Sequence, residues 1–329
     1  MFGTTYSNDF VATPIYGSAS VQIYTSQYGS ADISPMSSVN TIFSRTPTAM
    51  VVDNQGDFYL SATSIIYKID KAGAVVASQS SGFQPTLYSD GDYIYFVEDT
   101  YSFSKYDKIL NKVWSHTQSE SYSGSRGTTS DLNSNVYVSY GSGVNSKVNK
   151  LSATGSLLWT ATSSNTVVSL VTDKYGYLYI GQSAKAMVKK VDSSGTSVYD
   201  KSVTYGTFSS YAISHMSISD SNDTMYISVG DSTRTTSATP SVPVISYDLD
   251  LNQITNLGVY AANTVAFWLP SISVGGSQYV YLVKPLSMTA SVVEKWDGVS
   301  YTKLATSQVI YHNNPGFFAG PSLLVNPIQ

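Results

Sequence analysis

Few side chains in this chain are suited to chemistry. Cysteine is absent, which removes thiolate nucleophiles, thiolate metal sites and disulfides together. The histidines are His116, His215 and His312. Metal sites usually draw ligands from short spacings, and these three lie roughly a hundred residues apart. Each reads as a strand or loop residue, and no metal site is expected. The glutamates are Glu98, Glu120 and Glu294. Glu98 and Asp99 are adjacent carboxylates, the pair that acid–base cleavage of a glycosidic bond requires. Neighbouring residues on a strand point to opposite faces, so this pair is expected in a solvated loop. A serine triad lacks support, because no Gly-x-Ser-x-Gly elbow occurs. No catalytic residue and no cofactor is expected from these residues.

The aspartates are regular rather than reactive. Asp53, Asp70, Asp90, Asp107, Asp131, Asp173, Asp192, Asp220, Asp248 and Asp297 each open a short turn between two apolar runs. Several have glycine at i+3, as in Asp53-Asn54-Gln55-Gly56 and Asp173-Lys174-Tyr175-Gly176. Aspartate at position i and glycine at i+3 suit a type I turn. These turns belong to a repeat. An apolar strand centred on tyrosine recurs at Tyr59, Tyr95, Tyr137, Tyr179, Tyr226 and Tyr281, with spacings of 36, 42, 42, 47 and 55. A second motif follows each, as in Lys68-Ile69-Asp70-Lys71-Ala72-Gly73 and Lys190-Val191-Asp192-Ser193-Ser194-Gly195. Trp114, Trp159 and Tyr199 follow three copies.

Each unit therefore reads strand A, Asp turn, strand B, looser loop, strand C, Asp turn, strand D. That is one four-stranded antiparallel blade, at the roughly 40–50-residue period of a propeller. The expected fold is all-β: one propeller spanning residues 1–329, of seven blades, with six or eight as the alternatives that the degenerate flanks leave open. The last blade is assembled from the N-terminal segment 9–34 and the C-terminal segment 308–329. Sharing it between the termini would close the ring and remove exposed sheet edges.

Charged residues make up 12% of the chain, and 18 basic against 22 acidic residues give a net charge of −4. A nucleic-acid binder needs clustered Lys and Arg to displace counterions, so that partner is not expected. No run of 18 apolar residues occurs, so no membrane-spanning helix is expected. The N-terminal Met1-Phe2-Gly3-Thr4-Thr5-Tyr6 lacks the basic and apolar regions of a signal peptide.

The pattern Asp-x-x-Gly before an alternating Tyr strand, then Lys-apolar-Asp-x-x-Gly and Trp, resembles the blades of the PQQ-like (quinoprotein-type) propeller superfamily. The fullest copy is Lys150-Leu151-Ser152-Ala153-Thr154-Gly155-Ser156-Leu157-Leu158-Trp159. The resemblance implies the fold. Quinoprotein dehydrogenases of that superfamily use an acidic calcium site and often a vicinal cysteine pair, and this chain has no cysteine. Sialidase-type propellers bind a carboxylate with three arginines, the number present here as Arg45, Arg126 and Arg234. Their Ser-x-Asp-x-Gly-x-x-Trp boxes are missing.

The A–B and C–D turns of a blade share one face of the disc, and the B–C and blade-to-blade D–A loops share the other. The first face carries short, uniform Asp turns. The second carries variable segments at 81–85, 117–129, 201–211, 230–243 and 256–270. The expected binding residues there are Phe83, Tyr122, Arg126, Tyr205, Phe208, Tyr211, Arg234, Tyr260 and Trp268. Aromatics beside small hydroxyl residues suit sugar rings and protein surfaces. The competing expectation, sharpest for Phe267 and Trp268, is that such aromatics fill the space between blades. A composition poor in charge and rich in Ser, Thr and Tyr resembles virion tail, spike and decoration proteins. The expected function is a non-enzymatic propeller on a virion or extracellular surface. Its partners would be other virion proteins and, through the loop face, a glycan or receptor. The alternatives are a propeller enzyme, either a quinoprotein-like oxidoreductase or a glycan-cleaving hydrolase, and a cell-surface or envelope scaffold.

Overall fold

A computed structural model describes residues 8–15, 20–27, 33–39, 49–62, 64–70, 73–81, 86–122, 127–141, 143–183, 186–203, 211–219, 223–231, 241–261, 271–274, 279–287, 290–311 and 324–325. Among these the structure is all strand apart from one 3-10 turn at Gly143–Asn145. β1 (Asn8–Ile15), β2 (Ser20–Gln27) and β3 (Ser34–Val39) open the chain. Sheet I holds β4 (Ala49–Val52), β5 (Phe58–Ala62), β6 (Ile65–Ile69) and β7 (Val75–Ser80). Sheet II holds β8 (Leu87–Ser89), β9 (Ile94–Val97), β10 (Ser102–Tyr106) and β11 (Lys112–Thr117). Sheet III holds β12 (Thr128–Ser130), β13 (Val136–Tyr140), β14 (Lys147–Leu151) and β15 (Leu157–Thr162). Sheet IV holds β16 (Val167–Thr172), β17 (Leu178–Gln182), β18 (Met187–Val191) and β19 (Ser197–Ser202). Sheet V holds β20 (Tyr211–Ser219), β21 (Thr224–Asp231), β22 (Ser241–Asp248) and β23 (Gln253–Ala261). Sheet VI holds β24 (Ser271–Val274), β25 (Tyr279–Ser287), β26 (Ala290–Asp297) and β27 (Lys303–Thr306), with β28 (Ile310–Tyr311) also pairing β26.

These six blades are each built from one continuous stretch of chain. A further sheet has the order β29-β1-β2-β3, where β29 is Leu324–Val325. β29 pairs antiparallel with β1 through Val11 and Ala12. The first strands touch in series: β4 with β8, then β12, β16, β20, β24 and β29, and β29 again with β4. The fold is a propeller of four-stranded antiparallel blades around a central channel.

The cores lie between blades, and the period-2 alternation of strand B places them there. Val136 and Val138 face sheet II, beside Tyr95, Val97 and Phe103. Tyr137, between them in sequence, faces sheet IV, beside Leu178 and Ile180. Tyr59, Tyr179 and Tyr226 likewise pack onto the following sheet. All six central tyrosines are fully buried.

The turns serve two functions. The aspartate carboxylate caps its turn: Asp53 Oδ1 accepts from the backbone N–H of Gln55 and Asp57, and Asp173 Oδ1 from Tyr175 and Tyr177. Asp90, Asp107, Asp131, Asp192, Asp248 and Asp297 repeat the arrangement. In the C–D turns of sheets II to VI, the carbonyl one residue after the start of the turn receives a donor from the preceding blade. Tyr59 donates to Lys108 O (2.7 Å) and Trp114 Nε1 to Ala153 O (2.9 Å). Trp159 Nε1 donates to Ser193 O (3.0 Å), Tyr179 to Leu249 O (3.2 Å) and Tyr226 to Gly298 O (3.1 Å). The turn glycine also makes room for the tryptophan. Gly155 has φ +85°, and a Cβ there would stand 2.8 Å from the Trp114 ring. The repeated Asp, Tyr, Trp and Gly thus form one latch between successive blades.

Candidate functional site

The turn face is chemically occupied by its own structure. Tyr59, Tyr95, Tyr137 and Tyr179 donate to Oδ2 of Asp53, Asp90, Asp131 and Asp173 at 2.7–3.0 Å. Burial, with the neighbouring aspartate, pushes each phenol far above its ordinary range, so none supplies a phenolate. Lys150 crosses the Tyr137 ring, pairs with Asp131 (3.2 Å) and donates to Ser193 O. Burial alone would raise the Asp131 pKa, but bonds from Asn135, Lys150 and Tyr137 outweigh it and hold the carboxyl below its usual range. A shallow depression on the two turns of sheet II is lined by Asp92, Tyr93, Asp107, Lys108 and Ile109. Its charges are already paired, Lys108 with Asp92 and with Asn54.

The adjacent carboxylates separate. Glu98 turns back along its own blade instead of facing solvent. Its carboxylate accepts from Ser104 (2.6 Å), Tyr106 (3.2 Å) and Lys112 (2.6 Å). Burial opposes its ionisation, but these donors hold its pKa below the ordinary value. Asp99 caps the Tyr101 N–H. The two are therefore no acid–base couple. Of the histidines, His116 lies on β11 at the outer edge of sheet II, and burial lowers its pKa. His215 lies on β20, an innermost strand. His312 is outside the described residues.

Of the nine expected binding residues, Phe83, Arg126, Tyr205, Phe208, Arg234 and Trp268 lie outside the described residues, as does Phe267. Tyr211 begins β20, and Tyr260 is near the end of β23. Both strand ends belong to the loop face, but their side chains are outside the described part. Tyr122 corrects its expectation. It is fully buried, with its ring 6.1 Å from Phe103 and 5.6 Å from Tyr140, so it fills the space between sheets II and III. Its apolar ring gains more from that core than from a surface loop.

The loop face has another distinguishing feature. Buried polar atoms without a hydrogen-bond partner gather at this end of the blades: Gln118 Nε2, Thr128 Oγ1, Ser146 Oγ, Gln182 Nε2 and His215 Nδ1. On the turn half, Tyr247 Oη is in the same state, as is Asp223 Oδ1, which lies 3.0 Å from Lys174 Nζ, and Tyr122 Oη joins them between sheets II and III. Each such group costs about 1–3 kcal/mol unless a water or ligand satisfies it, and folded proteins keep few of them. Around Gln182, Oε1 accepts from Ser164 and Asn165, and the neighbouring Thr166 hydroxyl receives the Gly143 N–H. Thr128 and His215 belong to innermost strands. Gln118 instead follows β11, an outermost strand, and Ser146 precedes β14, the third strand of its sheet. Sequence reading passed over these positions. Among the described residues, no group of three His, Asp or Glu side chains is placed to hold a metal ion. No described helix is long and apolar enough to cross a membrane.

No family model and no curated protein matches the chain. Solved structures do. The periplasmic gluconolactonase of Pseudomonas aeruginosa is similar at a TM-score of 0.68 and 12% identity, over 98% of this chain and 100% of its own. A putative 6-phosphogluconolactonase from Bacteroides uniformis reaches 0.68 at 10% identity, over 93% and 97%. A streptogramin B lyase reaches 0.59 at 13% identity, over 82% and 83%. At these identities the likeness establishes the propeller fold alone.

These neighbours correct the functional expectation. They are named as lactonases and a lyase, and no virion, tail or adhesion protein is among them. The non-enzymatic virion reading is therefore withdrawn, together with its host-recognition role. Low charge with abundant Ser, Thr and Tyr has a plainer origin in this fold. Buried tyrosines latch the blades.

Proposed function

We propose that this chain is a propeller enzyme acting on a small polar molecule at the loop-face end of its channel, in the manner of a lactonase or a ring-opening lyase. The observation that carries the reading is the set of buried polar atoms without partners away from the turns, among them Thr128 and His215 on innermost strands, set against a turn face whose carboxylates and lysines are largely consumed by the latch. Propeller neighbours named gluconolactonase and lyase support it. Glu98 and Asp99 offer no convergent pair, which disfavours glycan cleavage at that position. In this reading the sheet formed by β29 with β1–β3 serves as a seventh blade, whose place between β4 and β24 keeps the channel wall continuous.

The test is direct. Purified chain is given glucono-δ-lactone in a pH-stat and a cyclic depsipeptide followed by chromatography. Saturable opening of either ring, lost on heat denaturation, supports the reading. Rates equal to the buffer blank for both would overturn it.

A further inference from the structure

The seams between blades are filled in two different ways. On the outermost strands of sheets I to V, Ala77, Trp114, Trp159, Tyr199 and Thr255 hold one equivalent position. Each pairs with the residue just before a register shift on the strand beside it: Lys68, Lys105, Lys150, Lys190 and Ser246. The C–D turn of the next blade meets this position. Four of those turns share one geometry. The N–H of Leu110, Gly155, Gly195 or Leu251 donates to the backbone carbonyl three residues earlier, at 2.9–3.0 Å. In sheet VI the turn is one residue longer, and Tyr301 takes the place. All five residues have positive φ, between +56° and +90°.

The sizes of the two partners answer each other. Where the outer strand carries tryptophan, the turn carries glycine. A Cβ on Gly155 would stand 2.8 Å from the Trp114 ring, and one on Gly195 would stand 3.1 Å from the Trp159 ring. Where the outer strand carries alanine, a single ring or threonine, the turn carries a side chain. Leu110 is buried in the core between sheets I and II, against which Ala77 packs. Leu251 and Tyr199 pack on one core between sheets IV and V, and Tyr301 packs on the core between sheets V and VI. Leucine and tyrosine are disfavoured at positive φ, because the Cβ crowds a carbonyl, and glycine would relieve them. These three are kept nonetheless, each inside a seam, where burial of the side chain offsets the strain.

We propose that each seam is keyed by this pair. The outer strand of one blade accepts at its neighbour only a turn residue of complementary size, and the pairs restrict which blade can follow which. Similar repeats are prone to dock out of order or onto a second copy of the chain. The keys oppose such errors. With one blade skipped, Ala77 against Gly155 would leave a void, and Trp159 against Leu251 would clash. Trp114 against Gly195 would still fit, so that error is opposed by other contacts.

The test exchanges the keys in the full chain. Melting temperatures are measured for Trp114→Ala, Gly155→Leu and their double variant, and for Ala77→Trp, Leu110→Gly and theirs. Trp114→Ala alone should lower Tm by about 4–7 °C, and Ala77→Trp alone by about 2–4 °C. Leu110→Gly should also lower Tm, although it relieves the backbone. Each double turns its seam into the type found at the other, and should melt at least about 2 °C above the sum of the single losses. The recovery should be smaller at Trp114, because Ala153 O loses its indole donor. Where a single variant does not fold, folding of its double gives the same support. Losses that add to within about 2 °C in either cycle, or a double that does not fold, would overturn the proposal.

Discussion

Replacing Tyr59 by Phe isolates the latch. The substitution removes one oxygen and leaves the ring in its core. The hydroxyl is fully buried, 3.0 Å from Asp53 Oδ2 and 2.7 Å from Lys108 O. Its loss strands a carboxylate oxygen of a residue with no exposed surface and a carbonyl of the next blade. A hydrogen bond to a charged group contributes about 1.5–3 kcal/mol, and an orphaned buried acceptor costs about 1–3 kcal/mol. Because the two overlap, the expected cost is about 3 kcal/mol. At about 2.1 cal/mol/K per residue, a 329-residue chain changes by roughly 0.7 kcal/mol per degree, so Tm should fall by roughly 4 °C. Tyr175→Phe is the internal control. Its hydroxyl contacts Asp223 at 3.1 Å from an exposed position, and the expected change is under about 0.5 kcal/mol. Calorimetry on the parent and both variants gives the answer. Equal small losses would refute the idea that these tyrosines fasten one blade to the next.

Other outcomes follow from the same structure. Ser134 occupies the turn position where sister turns place glycine, at φ +58° and exposed, so Ser134→Gly should raise stability by about 0.5–1 kcal/mol in chemical denaturation. Gly155→Ala should cost at least about 1–3 kcal/mol, because its Cβ would enter the Trp114 ring at an unfavourable φ; loss of the fluorescence signature of Trp114 checks it. With the His215 pKa near 4 when folded and about 6.5 when unfolded, only the unfolded chain takes up this proton between those values. Stability is therefore held above pH 6.5 and falls by up to about 3 kcal/mol as the pH drops to 4. The difference between parent and His215→Gln melts should be constant above pH 7 and shift in favour of the variant below it.

The fold was legible because its signals are local. An Asp turn, a Tyr strand and a Lys-apolar-Asp turn each depend on neighbours within a few residues, and their recurrence near every 42 residues announces a blade. The loop face was less legible for a physical reason. Tyr122 sits in a polar loop and reads as exposed, yet the next blade covers it, and no spacing within the chain records that contact. Glu98 looked solvated because its partners Tyr106 and Lys112 lie on the far strands of the blade.

The account assigns work to one face of the disc and cohesion to the other, and hydrogen–deuterium exchange under saturating lactone separates them. Protection is expected in β20 and in the segments 98–101, 141–146, 163–166 and 182–186, with the turns at 53–57, 107–111, 152–156 and 192–196 unchanged. Protection confined to those turns, or no change anywhere at concentrations that saturate turnover, would contradict it.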